Sequence, residues 1–176
     1  SWDTKREEMR FMFSRLAVSR LDPFYIDVST LGTDPLDPGT GYSSDEIRRP
    51  RIAEWNALAN SGRGEKIDFM VAAAAGFISR LHREGRINGI ISAGGLQNTV
   101  LATSAMRRLP IGLPKVMVTT AVTGPREFQL VTGNRDIIVV PSLSDLAGVN
   151  MFTRTTLDNA CACLAGMLTL TEHPGE

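Results

Sequence analysis

The sequence holds only two cysteines and two histidines, and this scarcity excludes several kinds of site. Cys161 and Cys163 lie two positions apart in an apparent helix, so their side chains point about 200° apart, too divergent for a disulfide or a joint metal site. His82 and His173 have no neighbour at metal-ligand spacing, and neither offers a base to a serine or cysteine nucleophile. We therefore expect core thiols in a reducing compartment, surface histidines, and neither a metal centre nor a hydrolase triad.

A surplus of charge of either sign is also absent, since 19 Lys and Arg balance 19 Asp and Glu. No overall field therefore draws the chain toward nucleic acid or an anionic membrane. No apolar run approaches the roughly 20 residues that span a bilayer, and the amino terminus lacks the basic-then-apolar order of a secretion signal. We expect a cytoplasmic protein that recognises its partners locally, with no nucleic acid and no membrane among them.

What the sequence does contain is a regular alternation of helical stripes and short apolar strands. With 176 residues, 43% of them hydrophobic, the chain can bury one substantial core. The order predicts a single Rossmann-like α/β domain over residues 1–176, with a doubly wound, mostly parallel sheet and helices on both faces. The patterns predict helices at about 3–19, 67–81, 99–108 and 150–170, and strands at 24–28, 87–92, 115–119 and 136–140.

Residues 29–65 interrupt this alternation with an excursion rich in Pro, Gly, Asp and Ser. A structureless loop of that length is uncommon in a compact domain, so we expect short helices near 44–49 and 51–60. The excursion either covers a ligand or is an insertion with no role. A basic cluster within it is either solvated surface or a contact for an anionic ligand or partner: Arg48, Arg49 and Arg51.

The first predicted helix starts almost at the beginning of the sequence, whereas a doubly wound domain normally begins with a strand. We therefore expect the sheet to lack its usual first strand. The strands on either side of that gap would carry unpaired backbone groups that another chain could cover. A homo-oligomer is accordingly an expectation.

The turn at Gly94-Gly95 joins an apolar strand to a helix, which is a ligand-binding geometry in parallel sheets. Glycine lets the backbone turn sharply, and free N–H groups at the next helix start favour an anion such as phosphate. The sequence matches neither the dinucleotide fingerprint nor the phosphate-binding loop, so a purely structural turn stays open. Lys5, Thr119 and Thr120 are polar residues near expected strand ends, where they either contact a ligand or are ordinary surface and strand-end residues.

Several segments together resemble one known family. They are Asp3-Thr4-Lys5-x-Glu7-Glu8, Ile26-Asp27-Val28-x-x-Leu31-Gly32, Gly85-Arg86-Ile87-x-Gly89-Ile90-Ile91, and the stretch from Leu101-Ala102-Thr103 through Pro114-Lys115-x-Met117-Val118. The chain is similar to the amino-terminal half of the tomato mosaic virus resistance protein family. The resemblance implies uncharacterised, ATP-binding-type proteins with two α/β domains, a nucleotide in the amino-terminal one, and a plant member that blocks viral RNA replication by binding the replication protein.

Two departures from the family pattern bear on the ligand. The family's turn reads Gly-Gly-Ser-Gly-Gly-Thr, whereas Leu96-Gln97-Asn98 stands here between Gly95 and Thr99. The side chains of Gln97 and Asn98 would either obstruct a phosphate or supply amide donors in place of close backbone approach. A family Ser-Gly-Asp segment appears here as Thr123-Gly124-Pro125, without the acidic group.

The resulting hypothesis is a domain that binds a nucleotide or another small phosphorylated molecule, with ATP and Mg²⁺ as the expected cofactor. The alternative is a protein-interaction or oligomerisation module that keeps the fold without the nucleotide. A second domain could close over the site, and the sequence names no catalytic residue. The expected ligand-binding residues are Asp3, Thr4, Lys5, Gly94, Gly95, Leu96, Gln97, Asn98, Thr99, Thr119, Thr120, Thr123 and Gly124.

Overall fold

The structure, a computed structural model, describes residues 2–30, 41–122 and 124–170, apart from the side chains of Trp2 and Asp3. Thr123, His173 and the stretch 31–40, on which some of the expectations fall, lie outside the described residues. Helices and short strands alternate along the described part. In chain order they are α1 (Trp2–Val18), β1 (Tyr25–Ile26), β2 (Gly41–Tyr42), α2 (Ser44–Arg48), a 3-10 turn (Arg49–Arg51), α3 (Ile52–Ala57), α4 (Arg63–Arg83), β3 (Ile90–Gly94), α5 (Leu96–Met106), β4 (Lys115–Thr119), α6 (Pro125–Thr132), β5 (Ile138–Pro141) and α7 (Met151–Leu170).

The strands form two parallel sheets. One consists of β1 and β2, with Tyr25 opposite Gly41. The other has the order β3-β4-β5, with Ile90 opposite Lys115 and Val116 opposite Ile138. Parallel neighbours need crossover connections, which the intervening helices supply. The chain therefore has the expected α/β fold.

Helices cover both faces of the three-stranded sheet. Val118 of β4 packs with Leu157 of α7 and Met12 of α1 on one face. Met117 points to the other face and packs with Met106 of α5. A strand that is apolar on both faces reads as a continuous hydrophobic run, which is why the sequence located β4 at its observed bounds.

Several element boundaries differ from the sequence-based expectation, and two of them lie beside the Gly94-Gly95 turn. The strand expected at 87–92 is observed at Ile90–Gly94. Ile87 precedes it in the connection and owes its apolar character to packing against the core between α4 and α5. The following helix begins at Leu96 rather than Thr99, because the Thr99 N–H already bonds the Gly95 carbonyl at 2.9 Å.

The excursion contains the expected short helices, and it also contributes the unanticipated strand β2. Two arginines of its basic cluster have structural roles. The Arg48 guanidinium is buried, donates to Ser44 and stacks 4.5 Å from the Trp55 ring centroid. Arg51 pairs with Glu54 at 2.5 Å. These contacts favour the structural interpretation of the cluster over an anion contact.

A crevice separates the two sheets, and we call it the slot. It has a volume of about 920 Å³ and lies between Ile26 of β1 and Ile91 of β3. One side is roofed by α1 and α7 and the other by α4 and α5, through residues such as Leu16, Leu164, Ile78 and Leu101. In the described part of the chain, β1 and β3 belong to different sheets, and no strand lies between them.

Candidate functional site

The Gly94-Gly95 turn ends β3 and starts α5. Gly95 is the N-cap of α5, and no side chain accepts a hydrogen bond from the first turn of this helix at the cap position. Leu96 and Gln97 are exposed and occupy that first turn. Their backbone N–H groups therefore give the start of α5 the partial positive charge that the sequence predicted for this place.

The side chain of Asn98 links the first turn of α5 to β3 by hydrogen bonds. Its Nδ2 donates to the Ala93 carbonyl oxygen at 2.7 Å and to the Ser92 hydroxyl at 3.2 Å. A Cβ at Gly94 would fall only 2.7 Å from Cβ of Asn98, so this position has room for glycine alone unless Asn98 moves. The amide thus bonds the strand, and the expectation that it would donate to a ligand is not supported by this arrangement.

A cavity of about 330 Å³ opens above this turn, and we call it the anion cavity. It lies at the carboxyl ends of β1 and β3, where ligands bind in parallel sheets. Six of the expected site residues line it: Thr4, Lys5, Gly95, Leu96, Gln97 and Asn98. The remaining lining residues are Val28, Thr30, Arg63, Ile67 and Leu101.

Lys5 reaches the cavity from a break in α1. Its backbone is non-helical, with φ −135° and ψ 31°, so the first turn is offset from the rest of the helix. The ammonium donates to the Leu146 carbonyl oxygen, which uses one of its three N–H donors. Lys5 therefore connects the cavity to the segment between β5 and α7. The buried Glu8 contacts the same segment, because its carboxylate accepts from the Gly148 N–H at 3.0 Å.

Two expected site residues are instead part of the framework beneath the turn. The hydroxyls of Thr99 and Thr119 lie 2.7 Å apart, and both residues are 0% exposed. Thr119 also accepts from the Ala121 N–H at 3.0 Å. These two hydroxyls tie α5 to the end of β4 and are not available to a ligand in this arrangement.

Thr120 and Gly124 are partly exposed but do not line the anion cavity. Gly124 is the N-cap of α6, and the carboxylate of Glu127 lies beside it, 2.9 Å from where a Cβ at Gly124 would stand. This acid already neutralises the start of α6. Thr123 and the side chain of Asp3 lie outside the described residues.

The described lining of the anion cavity carries two cations, Lys5 and Arg63, and no carboxylate. This composition fits a phosphate group. It offers no acidic ligand for Mg²⁺, which prefers carboxylate oxygens together with phosphate. The nearby Asp27 is buried and accepts from the Ser29 N–H at 3.0 Å at the end of β1. Among the described residues, the lining therefore offers cations for a phosphate and no carboxylate for Mg²⁺.

Arg63 and Thr30 were not anticipated as site residues. Thr30 follows β1, and Arg63 is the first residue of α4, so both stand at the carboxyl edge of the strands. The glycines on either side of Arg63 were a usable signal, because a helix start next to glycine in this fold faces the ligand edge.

In the described part of the chain, no helix combines the length and the apolar character needed to cross a bilayer.

Comparison with known proteins shows which family the chain resembles. Residues 1–173 match the model of the N-terminal domain of an uncharacterised protein family, UPF0261. A UPF0261 protein of Clostridium tetani is 34% identical over 166 residues, which cover 94% of this chain and 40% of that protein.

Two tomato proteins are also similar. The ToMV resistance protein Tm-1(GCR237) and the ToMV susceptible protein tm-1(GCR26) of Solanum lycopersicum are each 39% identical to this chain. In both cases the match covers 94% of this chain and 24% of the tomato protein. The chain thus spans well under half the length of these relatives.

Proposed function

Because the chain belongs to the UPF0261 family as its N-terminal domain, we propose that the anion cavity binds the phosphate group of a small phosphorylated molecule, with a nucleotide such as ATP as the leading candidate. The supporting observation is the convergence of Lys5 and Arg63 with the start of α5 on one cavity whose described lining has no acid. We also propose that the protein is located in the cytoplasm.

In this arrangement the N–H groups of Leu96 and Gln97 and the two cations hold phosphate oxygens. The hydroxyls of Thr4 and Thr30 are additional donors at the rim. The apolar wall contacts the uncharged part of the ligand, through Val28, Ile67 and Leu101. The volume of about 330 Å³ is at the small end of ligand sites, so a bound nucleotide would extend beyond the cavity.

Calorimetric titration with pyrophosphate, ATP, ATP with Mg²⁺, and adenosine tests this proposal. We expect pyrophosphate and ATP to bind, adenosine to bind much more weakly, and Mg²⁺ to add little, because the described lining supplies it no carboxylate. Failure of both anions to bind the folded protein would overturn the proposal.

Arg63→Gln gives a sharper test, with Arg83→Gln as the matched control. Both arginines are exposed and belong to α4, but Arg83 ends the helix, about 30 Å away at 1.5 Å per residue. We expect about tenfold weaker pyrophosphate binding for Arg63→Gln, which corresponds to about 1.4 kcal/mol, and no change for the control. Equal losses in both variants would indicate nonspecific attraction of the anion.

A second candidate function is protein interaction, because large apolar side chains are exposed in the segment after β5 and in the first turn of α7. Leu143 is 98% exposed, Met151 73% and Phe152 66%. Exposed apolar groups of this size are typical of contact surfaces when they cluster. Light scattering over a range of concentrations tests for a homo-oligomer, with Phe152→Ser expected to reduce association. A monomer at every concentration would remove the homo-oligomer and leave a second domain or another protein as the partner.

A further inference from the structure

The buried hydroxyls of Thr99 and Thr119 lie beneath the turn that borders the anion cavity. Both residues are 0% exposed, so solvent does not compete for the hydrogen bonds that they make. Their Oγ1 atoms are 2.7 Å apart, and this distance is compatible with either hydroxyl as the donor. The neighbouring bonds determine the direction, because each hydroxyl has one proton to give.

Counting protons gives the pair a single direction. Thr99 Oγ1 also lies 2.9 Å from the Gly95 carbonyl oxygen, which can only accept, so the Thr99 proton is used in that bond. Thr119 must then donate to Thr99, while its own oxygen accepts from the Ala121 N–H at 3.0 Å. The result is a chain of hydrogen bonds, which we call the relay, from the Ala121 N–H through Thr119 and Thr99 to the Gly95 carbonyl.

The relay ends on a peptide unit at the border of the anion cavity. The Gly95 carbonyl accepts from both the hydroxyl and the N–H of Thr99, each at 2.9 Å, which uses its two lone pairs. Its peptide bond to Leu96 is trans, like every other among the described residues. In a planar trans peptide the C=O and the following N–H point in opposite directions. Holding the Gly95 carbonyl toward α5 therefore aims the Leu96 N–H at the cavity, which both residues line.

The relay also makes the Leu96 N–H a stronger donor. Hydrogen bonds in a chain polarise one another, and they do so most where water is excluded. A peptide group whose carbonyl accepts two bonds therefore carries more positive charge on its N–H. Thr99 and Thr119 do not themselves line the cavity. They act on a group that does.

A threonine one turn later provides a matched comparison. Thr103 is 1% exposed, and its hydroxyl donates to the Thr99 carbonyl oxygen at 2.8 Å. This is the usual bond of a helical threonine to the residue four positions earlier. The hydroxyl bonds of Thr103 stay within α5, and the residue is not part of the cavity lining. Thr103 is therefore a buried threonine of the same helix outside the relay.

We infer that Thr99 and Thr119 are positioning residues of the anion cavity, which aim and polarise the Leu96 N–H toward a bound phosphate without contacting it. The inference rests on the proposed function, because it assigns both residues to the same site. Thr99 acts directly on the peptide unit of Gly95 and Leu96. Thr119 acts only through Thr99, and this order gives the inference its test.

Valine variants separate the relay from packing, because valine keeps the shape of threonine and lacks the hydroxyl. We expect Thr99→Val to weaken pyrophosphate binding about fivefold, the effect of one lost hydrogen bond. Thr119→Val should weaken it about twofold, because only the polarisation is lost. Thr103→Val should leave it unchanged, and Thr99→Ser, which keeps the hydroxyl, should bind as the wild type does. Calorimetry measures all four variants.

The double variant distinguishes positioning from a general loss of stability. Thr99→Val leaves the Thr119 hydroxyl buried without its acceptor, so adding Thr119→Val should recover part of the lost free energy of unfolding. Pyrophosphate binding should not recover, because Thr119 has no effect on the cavity without Thr99. Urea unfolding and calorimetry measure the two quantities. An affinity that follows stability across these variants would overturn the inference, as would unchanged affinity in Thr99→Val.

The amide proton of Leu96 reports on the relay in the ligand-free protein. Its NMR resonance should move upfield in Thr99→Val, where the Gly95 carbonyl loses a donor, and should stay in place in Thr103→Val. If pyrophosphate does not bind the folded wild type, the proposed function fails and this inference fails with it. If pyrophosphate binds and the Leu96 resonance is unmoved in Thr99→Val, the inference alone fails.

Discussion

The ammonium of Lys115 lies 2.9 Å from Oδ1 of Asp136 while its own side chain is 0% exposed. It also donates to the carbonyl oxygens of Pro110 and Leu113, at 2.7 and 2.8 Å. Asp136 accepts in turn from the Gly112 N–H at 2.7 Å. This cluster closes the end of the three-stranded sheet opposite the anion cavity, and one ion pair therefore anchors the connection between α5 and β4 to the start of β5.

Asp136→Asn should destabilise the fold, because it leaves the buried Lys115 charge without its counterion. We expect a loss of about 2 kcal/mol, less than is typical of a fully buried pair, since a third of the Asp136 side chain is exposed. Urea unfolding measures the loss, with Asp145→Asn on the exposed β5–α7 segment as control. A loss no larger than in the control would contradict this role.

The same pair predicts how stability depends on pH. Burial raises the pKa of Asp136, but hydrogen bonds from Lys115 and the Gly112 N–H together outweigh it, so this pKa lies below its ordinary value. The stabilisation is therefore complete above the unfolded pKa of about 3.9 and is lost as the pH falls through the lower, folded value. Urea unfolding between pH 2 and pH 6 should show a smaller acid-induced loss in Asp136→Asn than in the wild type.

Gly94→Ala should disturb the turn by colliding with Asn98, whose Cβ and Nδ2 both lie 2.7 Å from the added methyl group. We expect a cost of about 1–3 kcal/mol. In an Asn98→Gly background, which lacks both of these atoms, the cost should fall, and a double-mutant cycle by urea unfolding measures this coupling. Gly95→Ala is the control, since its methyl group meets only Thr120 Oγ1, at 3.7 Å. Additive costs would show that the collision does not determine the need for glycine.

Lys5→Gln should weaken pyrophosphate binding and make it less sensitive to salt, because one of the two cations of the cavity is lost. Lys66→Gln is the matched control. Lys66 also donates to a backbone carbonyl, that of Ala59 at 3.2 Å, but it does not line the cavity. Calorimetry at two salt concentrations separates the variants, and equal effects of both would count against the site.

Cys161 and Cys163 should differ in reactivity. Burial raises the pKa of the Cys161 thiol to about 12, so almost no thiolate is present at pH 8. Cys163 is partly exposed. Brief alkylation with iodoacetamide should label Cys163 alone in the folded protein and both residues in urea, as read by mass spectrometry. Labelling of Cys161 in the folded state would show that α7 separates from α1.

Several elements could be predicted from sequence because the spacing of their apolar residues matches the faces that they bury in the folded protein. The stripe from Ile67 to Leu81 lies on one face of α4, and Gly85 follows that helix with φ +68°, as expected of a glycine just after a helix end. The run at 115–119 is apolar on both faces and is bounded by Pro114.

The candidate site was harder to predict because its geometry depends on distant contacts. The position of Asn98 follows from its bonds to Ser92 and Ala93, which no local pattern shows. Arg63 comes to the cavity only because α4 starts at the same edge of the sheet as α5. The sequence located the turn correctly, whereas the direction of each side chain required the packed structure.

The free edge of β5 limits how copies of this domain can stack. Because Ser142 bonds Thr119, the outward residues of the strand are Val139 and Pro141, and proline has no N–H. That rim offers a single amide donor, too few to template a growing ribbon of strands. A strand that paired along this edge of β5 would therefore gain one backbone hydrogen bond fewer at Pro141 than at an ordinary residue.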